Sequence, residues 1–164
     1  MMWRFLVADD TSLDRFIVRD SDSRLTERDA VAVYEWVKSG KAFHCVRDHP
    51  CIGNFPLSGG AWGAQPKELV KIFGKPWRQM MRGTGNNYLD DMNFLNFQIW
   101  PKVKNYTYCS DSVTCDVYPN SHPFPVKRHG YEHVGQSLNE YDMGRMVDIN
   151  ILRKKGENAR CVPK

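Results

Sequence analysis

"FIVRDSDSRLTERDAVAVYEWVKSG", Phe16 to Gly40, is the stretch that decides the fold. It opens on four strand-like, largely apolar residues, reaches Asp20 and Asp22, and passes into a helical pattern. Side chains along a strand alternate between faces, so the two carboxylates share a face if the strand continues through them. Like charges held that close repel unless something positive sits between them, and a divalent cation is the most economical answer. Thr26 predicts an N-cap with Asp29 three residues on, Val31, Tyr34 and Val37 form a helical stripe, and Gly40 stops the helix. A second strand follows in "AFHCVRDHP", residues 42–50. Strand, helix and strand in succession predict an α/β layout.

On the N-terminal side, "MWRFLVADD" (2–10) reads as another short strand, closing on Asp9 and Asp10. On the C-terminal side, "FPLSGGAWGAQ" (55–65) reads as a Gly-rich turn region, and "PKELVKIFGKP" (66–76) as a short helix begun by Pro66 and stopped by Gly74. In "YLDDMNFLNFQIWP" (88–101), Leu89, Met92, Leu95 and Ile99 recur at helical spacing until Pro101 ends the run. Residues 102–164 read as loop-rich, with short strands between Tyr106 and Tyr118 and a helix near residues 140–149. Asp9, Asp10, Asp20, Asp22 and Asp48 all stand where strands are expected to end. Open α/β sheets bind ligands beyond the carboxyl ends of their strands, so these acids are expected to converge on one crevice.

Size and composition narrow what such a crevice could serve. The 164 residues suit a single domain, 1–164, and 41% hydrophobic with 12% aromatic residues are values of a folded globular chain. The formal net charge of +4 is modest and the 23 Lys and Arg are scattered, so no basic run tracks a nucleic-acid backbone. Cys45, Cys51, Cys109, Cys115 and Cys161 fit neither a zinc knuckle nor a redox Cys-x-x-Cys spacing. Half-buried free thiols are the plain reading. In an oxidising compartment the expected disulfides would be Cys45–Cys51 and Cys109–Cys115, and the sequon Asn105-Tyr-Thr points to the same surroundings. No apolar run is long enough to span a membrane, and no signal peptide is visible, so luminal placement would need a segment outside this sequence.

Magnesium and manganese prefer oxygen ligands, commonly one or two carboxylates completed by phosphate oxygens and water. Asp20 and Asp22, with Arg19 and Arg24 as bidentate phosphate partners, therefore fit a metal-bridged diphosphate ligand. The plainer alternative makes Asp20-Ser-Asp22-Ser a polar turn ahead of the helix.

These residues carry a resemblance. The run "WRFLVADD…DRFIVRDSDSRLTERDAVAVYEWVKSGKAFHCVRDHP…LSGGAWG" resembles a group of largely uncharacterised glycosyltransferase-like proteins. The order of motifs is also similar, more distantly, to metal-dependent GT-A glycosyltransferases of the glycogenin type. Those have a strand-borne Asp-x-Asp, a Gly-containing acceptor segment, an acid-led helix carrying Phe-Leu-Asn, and a His-x-Gly. Here the corresponding positions are Asp20-Ser-Asp22, Ser58-Gly59-Gly60, Asp90-Asp91 through Asn96, and His133-Val-Gly135. The resemblance implies an α/β, GT-A-like mixed sheet flanked by helices and metal-dependent transfer of a sugar from a nucleotide-sugar donor to a glycan or other hydroxyl acceptor. It implies Mn2+ or Mg2+ on Asp20, Asp22 and His133, and a catalytic or sugar-orienting carboxylate at Asp90 or Asp91. It places Arg19, Arg24, Asp48, Gly59, Gly60 and Trp62 along the substrates.

Three features depart from the glycogenin pattern. Asp90-Asp91 stands where that helix has Asp-Gln, His133 is not followed by the Lys and Pro-Trp that complete the His-x-Gly motif, and nineteen residues precede Asp20 where GT-A enzymes carry roughly half of a nucleotide-binding unit. The expectation is a domain lacking most of that N-terminal half, with an exposed sheet edge that favours self-association. Two other classes use the same residues. Haloacid-dehalogenase-type phosphatases end a strand in Asp-x-Asp with magnesium, but they expect an apolar residue before the first Asp, where this chain has Arg19. A non-catalytic sugar-binding module would use Trp62 and Trp77 as stacking faces.

Overall fold

The computed structural model describes residues 2–50, 55–85 and 87–161. The chain begins with a 3-10 helix, Met2–Asp9, and not with the strand expected there. Its buried residues, Met2, Phe5 and Ala8, recur every third position, which is the period of a 3-10 helix whose side chains eclipse at i and i+3. Strand β1 (Phe16–Arg19) follows, and then helix α1 (Glu27–Ser39). The Thr26 hydroxyl accepts a hydrogen bond from the Asp29 backbone N–H, and Gly40 closes α1 in the left-handed region at φ 68°.

The face that α1 buries is not the expected one. Tyr34 and Val37 lie exposed, whereas Arg28, Asp29, Ala32 and Trp36 point inward. Arg28 and Asp29 are held there by ion pairs to Asp48 and Arg19, so charge pairing with the two strand ends chooses the inner face over the apolar stripe.

Strand β2 (Phe43–Arg47) is buried at every position, and β3 (Ala61–Ala64) likewise. The second is a correction: "AWGA" belongs to no turn region but to an inner strand of the sheet. Gly63 allows this, because a Cβ there would lie 2.5 Å from the Phe16 carbonyl oxygen of the neighbouring strand. Helices α2 (Pro66–Phe73), α3 (Trp77–Met80) and α4 (Asp90–Asn93) come next. A π-helical segment, Phe94–Ile99, leads into α5 (Trp100–Val103). Pro101 does not end this run as expected. It sits in the first turn of α5, where a missing N–H leaves no intrahelical bond unmade. Strand β4 (Thr107–Asp111) and helix α6 (Met146–Lys155) complete the regular elements, apart from short 3-10 turns at Lys104–Tyr106 and Ala159–Cys161.

The sheet is mixed, with strand order β1-β3-β2-β4 and helices flanking it. Strand β3 runs antiparallel to both neighbours, and β2 runs parallel to β4. The chain thus leaves β1, crosses through α1 to β2, and returns to fill the gap between them with β3. Trp62 of β3 is the centre of the core, stacked on Phe43 at 5.3 Å and on Trp77 at 5.6 Å, with Phe5 and Phe16 edge-on.

The cysteines pair differently from the expectation of neighbours in sequence. Cys45 is bonded to Cys109, its register partner on the adjacent parallel strand, and Cys115 to Cys161. Strand pairing lays Cys109 beside Cys45, so distance along the chain has no bearing on it. Cys51 lies outside the described residues.

Candidate functional site

An open cleft of about 420 Å³ lies beyond the end of β1. One wall is Asp20 and Gly60, another is Tyr88, Leu89 and Met92, and the far side is His49, His133 and Asp148. Strand β1 ends at Arg19, and the Ser23 N–H donates to the Asp20 carbonyl at 3.1 Å. A turn thus separates the two aspartates that a continued strand would have put on one face. Asp20 turns into the cleft, while Asp22 is exposed and is not among the lining residues. The Asp22 backbone carbonyl instead accepts from the Leu138 N–H at 2.8 Å, fastening the C-terminal loops to this turn.

The positive charge against Asp20 comes from Arg4, in the first 3-10 helix. Its guanidinium bridges Asp20 and Asp91, the latter at 2.9 Å. Asp91 is buried, and its second oxygen accepts from the Met92 N–H. Residues near positions 4, 20 and 91 are therefore one electrostatic unit. The glycines are part of its geometry. A Cβ on Gly60 would sit 2.1 Å from Asp20 Oδ2, and one on Gly59 would sit 2.7 Å from both Arg4 and Asp91. Only a residue without a side chain leaves room for the carboxylates here. Asn96, the last residue of "FLN", clamps the segment just before these glycines: its side chain accepts from the Leu57 N–H at 2.8 Å and donates to the Leu57 carbonyl at 2.9 Å.

Across the cleft, the His133 and His49 rings lie 4.4 Å apart, and His49 Nε2 is 3.1 Å from the Asp148 carbonyl. Burial, aided by the neighbouring His49, pushes the His133 pKa down to about 4. His133 is therefore neutral near pH 7, and its buried Nδ1 has no hydrogen-bond partner among the described residues. Arg145 holds the Asp148 carboxylate at 2.8 Å on the same side.

The other expected site residues lie apart from this cavity. Arg19 is half-buried in a bidentate pair with Asp29, at 2.9 and 2.6 Å, and also donates to the Trp62 carbonyl. Arg24 pairs with Asp142 at the surface. Trp62 is 0% exposed and presents no face to a ligand. Asp90 accepts from the Asn87 N–H at the start of α4. Asp48 is wholly buried behind the cleft, where it accepts from the Val134 N–H at 3.0 Å and so positions the residue next to His133. Asp9 is far from the crevice expected for it. Its carboxylate caps α3 through the Trp77 and Arg78 N–H groups.

Arg4, His49, Tyr88, Arg145 and Asp148 belong to the site without having been singled out. His49 is visible in "RDHP" but looks like one satisfied polar group. Arg4 stands in the opening run of the resemblance, which gives it no role, and Asp148 sits in a run that carries no motif.

Among the described residues, no group of three or more His, Cys, Asp or Glu is arranged to hold a metal ion. None of their helices is long and apolar enough to cross a membrane. Comparison with protein-family models, with curated proteins and with solved structures gives no match.

Proposed function

We propose that the chain is a glycosyltransferase-like protein whose cleft receives the diphosphate and sugar of a nucleotide-sugar donor, for transfer to a hydroxyl acceptor. The observation that supports this reading is convergence. Asp20, Gly60 and His133 border one cavity, and Asp91 is tied to Asp20 through Arg4, although these residues spread from position 20 to position 133. They are the positions at which the four motifs of the resemblance fall.

In this reading a divalent cation is held jointly with the donor, because the described residues offer no group of three or more His, Cys, Asp or Glu to hold it alone. Asp20 would supply a carboxylate, and His133 a neutral ring whose buried Nδ1 has no partner among the described residues. Manganese or magnesium would take its remaining ligands from phosphate oxygens and water. When bound, such an ion would neutralise charge on the leaving diphosphate. The chain's own contribution is positional: Arg4 orients Asp20 and Asp91, Asn96 fixes the loop of glycines, and Asp48 sets the His133 segment.

Calorimetric titration with manganese, with and without a nucleoside diphosphate, tests the reading. The diphosphate should raise manganese affinity, Asp20→Asn should abolish the gain, and His133→Ala should reduce it. Asp22→Asn decides whether the exposed aspartate turns inward when a ligand binds. Equal affinity in wild type and Asp20→Asn would overturn the assignment. Phosphate release from simple phosphomonoesters, lost in Asp20→Asn, would replace it with a phosphatase.

A further inference from the structure

Two features on the β4 side of the molecule, away from the cleft, point to one chemical environment. The first is the cysteine pairing. Four of the five cysteines are joined, Cys45 to Cys109 inside the sheet and Cys115 to Cys161 between the loop after β4 and the C-terminal 3-10 turn. Cys45 and Cys109 are buried, so their bond is a structural crosslink within the sheet. Crosslinks of this kind persist in oxidising compartments and are rare where glutathione keeps thiols reduced.

The second is Asn105-Tyr106-Thr107, the only Asn-x-Ser/Thr triplet with x other than proline in the sequence. It straddles the junction between the 3-10 turn Lys104–Tyr106 and β4. Asn105 is exposed, and its side-chain amide has no hydrogen-bond partner among the described residues; only its backbone carbonyl is engaged, by Lys41 Nζ at 3.2 Å. A shallow cavity of about 260 Å³ opens beside it, lined by Asn105 together with Trp100 and Tyr118, whose rings meet edge to face at 6.1 Å. Arg47 covers the Tyr118 ring at 4.2 Å, so the half-buried Trp100 ring is the apolar surface beside Asn105 for a first sugar.

We propose that Asn105 is an N-glycosylation site and that this chain matures in the oxidising secretory lumen, where both disulfides form. The modification joins Asn105 Nδ2 to the anomeric carbon of an oligosaccharide carried on a lipid diphosphate. The C–O bond to the diphosphate breaks, and the amide proton leaves with the released lipid diphosphate. Each disulfide forms from two thiols, which give two electrons and two protons to a thiol–disulfide oxidoreductase. The inference does not rest on the glycosyltransferase reading, because neither feature touches the cleft.

The test is peptide mapping of the protein isolated from its own cells, with peptide N-glycosidase digestion in heavy-oxygen water. The expected result is Asn105 converted to a labelled aspartate, with Cys45–Cys109 and Cys115–Cys161 peptides recovered under non-reducing conditions. An unmodified Asn105 peptide, or free thiols at Cys45 and Cys109, would overturn the proposal. A second arm delivers the full chain into microsomes behind a cleavable signal sequence and scores only protease-protected product. Wild type and Thr107→Ser should each gain one glycosidase-sensitive glycan, while Asn105→Gln and Thr107→Ala gain none. Protected wild-type chain without a glycan would also overturn it.

Discussion

Strands β1 and β2 run out through the same three residues, Val18-Arg19-Asp20 and Val46-Arg47-Asp48, each aspartate just past its strand, and the two have opposite fates. In both, the valine is buried and the arginine is taken up by another aspartate, Arg19 by Asp29 and Arg47 by Asp111. The last residue differs. The Asp20 side chain is 43% exposed at the cleft and is met by Arg4. Asp48 is 0% exposed and accepts hydrogen bonds from Arg28 twice, Arg128, Ser112 and the Val134 N–H. Strand β1 is the edge of the sheet, whereas β2 lies between β3 and β4 and is covered by the C-terminal loops. An interior strand end buries its acid and needs every lone pair satisfied. An edge strand end leaves its acid one partner and open space, which is what a ligand needs.

The sharpest way to break this comparison is to remove both acids. Asp48→Ala should lower stability by about 3–5 kcal/mol, because Arg28 and Arg128 lose a shared buried partner. Chemical denaturation measures it, and a loss under 1 kcal/mol would show that the network is not the anchor described. Next in size is the room around Asp20. Gly60→Ala forces a methyl group to within about 2 Å of Asp20 Oδ2, so the carboxylate must move. A destabilisation of about 1–3 kcal/mol is expected, with loss of any manganese response. A crystal structure of the variant with Asp20 undisplaced would contradict this.

Acid sensitivity should also divide the two strands. Aligning the tripeptides places His44 of β2 where β1 has Phe16. Burial, with the charge of Arg19 nearby, pushes the His44 pKa down to about 3, from an ordinary value of 6.5. The unfolded chain takes up a proton below pH 6.5 and the folded chain does not. The stability linked to neutral His44 is complete above pH 6.5 and is lost as pH falls toward 3, by about 1.4 kcal/mol per unit at most. His44→Phe, which copies β1, should flatten that limb of the stability profile. An unchanged acid limb would assign the effect to other groups.

The smallest stability effect belongs to Asp20→Asn. The pair with Arg4 is partly solvated, so its loss should cost at most about 1 kcal/mol. If the proposed function holds, its larger effect falls on binding, which the manganese and nucleoside diphosphate titration measures. A cost matching that of Asp48→Ala would erase the distinction between the two strand ends.

Local chemistry written along the chain was enough for several elements. Thr26 and Gly40 mark both ends of α1, Pro66 and Gly74 those of α2, and the apolar runs before Asp20 and Asp48 are strands, because caps, proline and glycine act within a few residues of themselves. The alternation of strand and helix indicated α/β, and the glycines at 59 and 60 and the acids at 20 and 91 were legible as residues of interest. What only the tertiary structure decided are the relations between distant segments. These include β3 inserted between β1 and β2, Trp62 as core and not platform, Asp48 as buried hub, and Asp22 turned away from Asp20. Arg4 as the counter-charge and Cys109 as the partner of Cys45 belong with them. The physical reason is common to all of these. Whether a carboxylate is open or sealed, and which charge or thiol it meets, depends on the strand laid beside it, and strand neighbours are chosen by packing of the whole chain.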